Sequence, residues 1–327
     1  MPEVTCLGET MAVFVPDRPG GPAGAAGGPG VAADPAAGRD LAGSGAFGYT
    51  VRIGGAESNV ACALARLGIP VRWIGRVGDD RFGRLVLETL VKHGVDVSGA
   101  ETDPVRPTGL YVKEFTRSGT RTRYYRSGSA ATAMSPALAA RPAVRDARWL
   151  HLSGITPALS DGCAALLDAI MHTPVPGRTV SFDLNWRPLL WPGRDPALLL
   201  RLARRADLLF VGLDEAEALW GLTDPAQIRR LIPGPRTLVV KRGDGGATAF
   251  EGGQTVRVGP AAQTPAAAEL VGTGDAFAAG FLAGAVRRLP LQAKVGLAVR
   301  TARATLLVPG DLAAPAAAGR PGLAAAR

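Results

Sequence analysis

The chain is short of several things at once. It has three cysteines, Cys6, Cys62 and Cys163, odd in number, far apart and set in apolar sequence. A disulfide scaffold is therefore not expected, and reduced thiols fit a cytoplasmic protein. The three histidines, His93, His151 and His172, have no ligand spacing with one another or with the cysteines, which argues against a structural zinc site. No charge-free stretch approaches the roughly 18–20 residues that a bilayer-spanning helix needs, so no membrane association is expected. The start, Met1 to Cys6, lacks the basic-then-apolar order of a secretory signal. Lysine is scarce, with four among 37 basic residues against 28 acidic ones. The net charge of +9 thus comes from arginines spread along the chain, without a run of five basic residues or an aromatic–basic repeat. Nucleic acid is not the expected partner. A basic site for a small anionic substrate is compatible with this balance.

Familiar motifs are missing too. No lysine follows a glycine, so there is no Walker A loop. No G-x-S-x-G elbow occurs. Gly272-x-Gly274-x-x-Phe277 lacks the third glycine of a dinucleotide fingerprint and comes too late in the chain for a first βαβ unit, which excludes a Rossmann dehydrogenase.

What is present is an alternation of short apolar runs and helical patterns over 327 residues. Val4–Leu7, Tyr49–Ile53 and Val71–Ile74 read as strands. A helix follows Gly54-Gly55, with Val60, Leu64 and Leu67 on one face, and a second is capped by Asp80 and stopped by Gly94. Gly109–Phe115 and Thr120–Arg126 read as a hairpin turning at Ser118-Gly119. Strands are then expected near 149–152, 179–184, 208–211 and 237–241, with Asp161 and Asp195 as helix caps between them. A meander at 247–250 and 255–258 precedes two long helices after Gly274 and Leu291. That order implies an α/β fold, a mostly parallel sheet covered by helices on both faces, with a small separate antiparallel element. From Pro19 to Gly38, eighteen of twenty residues are Gly, Pro or Ala. With little to bury and much entropy to lose, this insertion is expected to be a mobile surface loop.

Three segments can carry chemistry. Gly272-Thr273-Gly274-Asp275 opens a helix whose amides and dipole would attract an anion. Asp275 is then either a helix cap or a general base beside a bound phosphate. Gly54-Gly55 through Asn59 is a second glycine turn at a helix start, and Asn59 is either a helix-face hydrogen-bonder or a ligand contact. Asp183-Leu184-Asn185-Trp186-Arg187 ends a buried strand, where ligands of open α/β sheets gather, although Asp183 can equally bond local backbone.

The order of these three segments resembles the ribokinase-like, PfkB-type carbohydrate kinases, over about residues 3–311. The stretches Gly54–Asn59, Gly109–Phe115, Tyr124–Ser129, His151–Ser160 and Lys241–Gly246 are similar to the 2-keto-3-deoxygluconate kinases within that family. The resemblance implies a single domain over 1–327, a three-layer α/β/α sandwich with a β-sheet lid from about 12–15, 47–53 and 108–127. It implies ATP-dependent phosphorylation of a hydroxyl of a sugar or sugar acid, with Mg2+ and in the cytoplasm. Fructose, ribose or a nucleoside are alternative substrates, and a non-catalytic sugar-binding regulator is the alternative of another class. Asp275 would be the base, with the amides of Gly272, Thr273 and Gly274 as the anion hole. Gly55, Asn59, Tyr111 and Tyr124 would line the sugar pocket, and Arg126 and Arg187 would face the acid or carbonyl end. Lys241, Gly243 and Gly246 would lie on the nucleotide loop, and Glu215 would organise magnesium through water. A homo-oligomer through the lid is implied as well. Two departures stand out. Gly212 replaces the first residue of the family's N-x-x-E segment, and Glu269-Leu270 replaces the residues linked to a monovalent-cation site, which leaves that cation open. The 19–38 insertion falls where the first lid strands run.

Overall fold

A computed structural model describes residues 2–17, 48–116, 119–243, 246–259 and 272–306. The 19–38 insertion, Ser118 and Glu269-Leu270 lie outside these described residues. In chain order the first elements are β1 (Val4–Leu7), β2 (Met11–Pro16), β3 (Tyr49–Gly54), α1 (Ala56–Arg66), β4 (Val71–Ile74), β5 (Arg76–Gly78), α2 (Arg81–Lys92) and β6 (Glu101–Asp103). Next come β7 (Leu110–Thr116), β8 (Gly119–Tyr125), α3 (Pro142–Arg145), β9 (Trp149–Ser153), α4 (Thr156–Leu159), α5 (Asp161–His172), β10 (Thr179–Asp183) and α6 (Ala197–Ala203). The last are β11 (Leu208–Gly212), α7 (Leu213–Trp220), α8 (Pro225–Leu231), β12 (Thr237–Lys241), β13 (Ala247–Glu251), β14 (Gln254–Val258), α9 (Thr273–Val286) and α10 (Leu291–Leu306).

Eight strands form the body sheet in the order β14-β13-β12-β11-β10-β9-β1-β4, parallel from β12 to β4 and antiparallel in the β12-β13-β14 meander. Its central strands, such as β11 and most of β12, are apolar and buried because both faces are covered. Within β11, Leu208 and Phe210 join one core, with α1, α2, α9 and α10, while Leu209 and Val211 join the other, with α3 to α8. The expected sandwich of helices on both sides of a mostly parallel sheet is what forms.

The second sheet has four strands in the order β3-β2-β7-β8. Its outer pairs are antiparallel, and the central β2–β7 pair is parallel. A third, two-stranded parallel sheet, β5-β6, was not among the expected strands. Its three-residue strands carry Arg76, Glu101 and Asp103, too short and too polar to show a strand pattern.

Two expected caps differ in detail. Asp80 does cap α2, accepting from the Gly83 amide at 2.7 Å. The cap of α5 is Ser160, which accepts from the Cys163 amide at 3.0 Å, so Asp161 is the first helical residue and not the cap. Asp195 accepts from the Ala197 amide at 2.9 Å, ahead of α6.

Candidate active site

The parallel strands point their carboxyl ends the same way, and an open cleft of about 1650 Å³ lies over them, roofed by the lid. Gly55, Asn59, Tyr111, Tyr124, Arg126, Arg187, Glu215, Lys241, Gly243, Gly246 and the Gly272–Asp275 turn all line it. Residues scattered over more than 200 positions of sequence thus meet in one volume.

Asp275 is not a helix cap. The cap of α9 is Gly272, in the left-handed region at φ 81°, a conformation that costs glycine little. Asp275 lies in the first helical turn, and its Oδ2 accepts from Asn59 Nδ2 at 2.8 Å. That bond gives Asn59 a defined task, orienting the carboxylate. Burial, opposed by the Asn59 bond, pushes the Asp275 pKa up to about 6. A carboxylate so placed is a competent proton acceptor near neutral pH. Gly272, Thr273 and Gly274, at the N-terminal end of α9, line the cleft, and a helix start favours negative charge nearby. Gly55 is held to glycine by space, since a Cβ there would stand 2.2 Å from the Glu9 carbonyl oxygen.

The two arginines differ. Arg187 has a half-exposed side chain, donates to the Trp186 carbonyl at 3.0 Å and lies 3.8 Å from Glu215. Arg126 has a side chain only 9% exposed and is already ion-paired with Glu9, whose other oxygen accepts from Ser129 Oγ at 2.8 Å. Arg126 also lies over the Tyr124 ring, 5.7 Å from its centre, and the Tyr124 and Tyr111 rings are 5.3 Å apart. Both arginines expected to face the acid or carbonyl end line the cleft, Arg187 as the more open one and Arg126 with Glu9 attached.

Glu215 also has a duty that the sequence did not show. Its two oxygens accept from the amides of Trp186, at 3.1 Å, and Gly212, at 2.7 Å, tying β10's exit to the start of α7. Burial raises its pKa above the ordinary glutamate value, opposed by Lys241. Gly243 and Gly246 border the cleft on the loop after β12. Lys241 instead turns its side chain inward, where Nζ donates to both oxygens of Asp183 at 2.8 and 2.7 Å. Asp183 is thereby engaged by a side chain and not by local backbone.

Sequence reasoning passed over Glu9 and, although it singled out the strand end that carries Asp183 and Asn185, gave neither of them a defined role in the site. All three are buried, and Glu9 and Asn185 line the cleft. Asn185 takes φ 42°, a left-handed conformation uncommon outside glycine. A usable signal existed, because Glu9 and Asn185 both lie just past the carboxyl end of a parallel strand and Asp183 closes one.

With cleft, base and helix terminus in place, comparison with known proteins settles the family. Residues 42–317 match the sequence profile described as pfkB family carbohydrate kinase. The chain belongs to the pfkB family of carbohydrate kinases. It is 36% identical over 276 residues to the 2-dehydro-3-deoxygluconokinase of Bacillus subtilis, covering 81% of this chain and 83% of that protein. The crystal structure of a PfkB protein from Polaromonas sp. JS666 superposes with a TM-score of 0.77 at 33% identity, over 95% of this chain and 98% of that one. A putative ribokinase II from E. coli, solved with ATP and Mg2+, shares the fold at a TM-score of 0.77 and 19% identity, covering 95% of each chain. Among the described residues no helix of this kinase is long and apolar enough to cross a membrane.

Proposed function

We propose that this carbohydrate kinase phosphorylates a hydroxyl of a 2-keto-3-deoxy sugar acid, 2-keto-3-deoxygluconate first, with ATP as the donor. The observation that carries the reading is one cleft holding both a partly buried carboxylate fixed by Asn59 and a half-exposed arginine, Arg187. The carboxylate suits proton removal from an alcohol, and the arginine fork suits a carboxylate on the substrate. The name borne by the B. subtilis relative supports the same substrate class.

In this reading Asp275 takes the proton from the attacking hydroxyl as its oxygen bonds to phosphorus and the bond to the leaving ADP breaks. The amides of Gly272, Thr273 and Gly274 meet the charge on the transferred group. Gly55 and Asn59 contact sugar hydroxyls, Tyr111 and Tyr124 wall the sugar, and Arg187 receives the acid end, with Arg126 and Glu9 beside it. Gly243 and Gly246 give the nucleotide a side-chain-free approach. Magnesium accompanying ATP takes most of its ligands from phosphate and water and one or two from protein carboxylates. The residues fit that mode: Asp214 and Glu215 border the cleft, and Glu215 already accepts two amides, which favours contact through water. The metal's contribution is to neutralise phosphate charge.

The test is a panel of sugars in a coupled ATP-consumption assay. The expected outcome is the highest kcat/KM with 2-keto-3-deoxygluconate, and a higher value with fructose or ribose overturns the acid-sugar assignment. The reading extends to body and lid acting as one cytoplasmic domain and to two copies meeting through the lid, where Tyr49, Val51 and Tyr125 are exposed. A monomer mass in solution under assay conditions overturns the last point.

A further inference from the structure

Lys241 ends β12, and its ammonium does not follow the glycine loop that comes next. It lies against the start of α9, with Nζ 3.7 Å from where a Cβ on Gly274 would stand. Two sources of positive potential, a helix N-terminus and a side-chain cation, therefore face one volume. Asp183, only 3% exposed on β10, holds the ammonium there with both oxygens. An ammonium has three N–H groups, so two bonds to Asp183 leave one for a ligand. Burial by itself would lower the Lys241 pKa, but Asp183, then Glu215, then Asp275 hold it above the ordinary lysine value. Lys241 is thus a fixed, charged group near Asp275, held by its own counter-ion.

We propose that Lys241 is a catalytic residue whose ammonium, fixed by Asp183, contacts the phosphoryl group in transfer beside the first amides of α9. In the transfer the sugar oxygen bonds to phosphorus, the phosphorus–oxygen bond to ADP breaks, and the hydroxyl proton goes to Asp275. Charge spread over the phosphoryl oxygens is stabilised by a cation that is already in place and needs no reorganisation. Asp183 is a positioning residue, acting through Lys241. The proposal rests on phosphoryl transfer and not on which sugar is used, so the sugar panel and the experiment below fail independently.

The experiment compares wild type with Lys241→Met, Lys241→Arg, Asp183→Asn and the Lys241→Met/Asp183→Asn double variant. Affinities for ATP and for ADP are measured by calorimetry without sugar, and kcat and sugar KM by steady-state kinetics. Lys241→Met is expected to lower kcat by about 10²–10³-fold, the scale of losing one preorganised charge-stabilising donor. ATP affinity should fall about tenfold, ADP affinity by less than about twofold, and sugar KM should stay within about twofold. Lys241→Arg, which keeps the charge, should retain the preference for ATP over ADP. Asp183→Asn should lower kcat less than Lys241→Met, with sugar KM unmoved. The double variant should be no worse than Lys241→Met, because coupled residues do not add. It also removes both charges together, so it carries the test if Lys241→Met, which strands a buried carboxylate, does not fold. Equal losses of ATP and ADP affinity would overturn the proposal and return Lys241 to the nucleotide loop. An unchanged kcat would overturn it outright, and additive losses in the double variant would remove Asp183 from it.

Discussion

The body sheet and the lid sheet solve different problems with the same kind of strand. In the body, β1, β11 and most of β12 are buried along their length, and the chemistry sits where those parallel strands stop. In the lid, β3 is exposed over four of its six residues, and Thr122 and Tyr124 of β8, with Arg126 just after it, line the cleft while Arg123 and Tyr125 do not. One sheet gains rigidity from two helix layers and can hold a base and a cation in fixed places. The other keeps one face free and offers side chains that a substrate can select. In the proposed reading, reactivity and selectivity fall to separate sheets, joined through polar contacts such as Glu9 with Arg126.

The sharpest way to test that division is at Asp275. Asp275→Asn keeps the size but cannot take the proton, and kcat should fall by about 10²–10⁴-fold, the usual range for a lost general base. Sugar KM should change far less. In wild type, kcat/KM should drop as pH falls through about 6, because a raised carboxylate pKa leaves the base protonated below that value. Near-normal turnover of the asparagine variant at pH 7.5, or a wild-type acid limb absent down to roughly pH 4, would move the base elsewhere.

Stability should divide in the same way. Phe281 is 1% exposed and packs edge-on against Phe210, ring centres 5.6 Å apart, between α9 and the body sheet. Phe281→Ala should cost about 3–5 kcal/mol in denaturant unfolding. On the lid, the half-exposed Arg123–Glu114 pair, 2.8 Å apart, is the contrast. Arg123→Ala should cost at most about 1 kcal/mol, as exposed ion pairs do. Comparable losses at the two sites would mean that the lid is as tightly integrated as the core.

A smaller effect separates the arginines. Arg187→Ala should reduce kcat/KM for the sugar acid about ten- to a hundredfold relative to fructose or ribose, the worth of a charge-assisted fork, with little change in Tm. Arg126→Ala should lower Tm as well, since it leaves the buried Glu9 carboxylate without its cation. If both variants lose activity equally on acidic and neutral sugars, neither arginine reads the acid.

The least effect concerns Glu57, fully buried on α1, whose Oε1 accepts from Ser153 at 2.7 Å and Thr156 at 3.1 Å. Burial, partly offset by those bonds, pushes its pKa up to about 7. Between about 4.5 and 7 the folded protein then keeps a proton that the unfolded chain has released, so this group makes stability fall as pH rises. Glu57→Gln removes that dependence, and its Tm relative to wild type should be higher at pH 8 than at pH 5. Parallel Tm curves for the two proteins would show that Glu57 does not carry the proton.

Much of this was legible in residues that report on their own surroundings. The β10 and β11 runs read as buried strands because sheets covered on both faces need no polar alternation. Gly272 to Asp275 read as an anion-facing helix start because the glycines and the acid are adjacent. The partnerships were hidden, since Lys241 and Asp183 are 58 residues apart and Arg126 and Glu9 are 117 apart. No local pattern announces a salt bridge between strand ends. For that reason nothing in the sequence showed that Lys241 would turn to Asp183 or Arg126 to Glu9. The β5-β6 pair was missed because its strands are short and polar, and the parallel β2–β7 pairing has no turn between its strands to betray it.

The cysteines, so unpromising in the sequence, have a practical consequence. Cys6 and Cys62 lie in the core under α1 and α9, and Cys163 lies in the core on the opposite face of the sheet. Burial, first of all, pushes Cys62 up to about 12 and Cys163 up to about 11, and Cys6 is raised as well. Thiols that are both covered and protonated react with an alkylating reagent only when the structure around them opens. The protein therefore carries built-in reporters for each helix layer and none in the lid. The rate at which each cysteine is labelled in the native state measures how often its own layer comes apart, with no dye or substitution added.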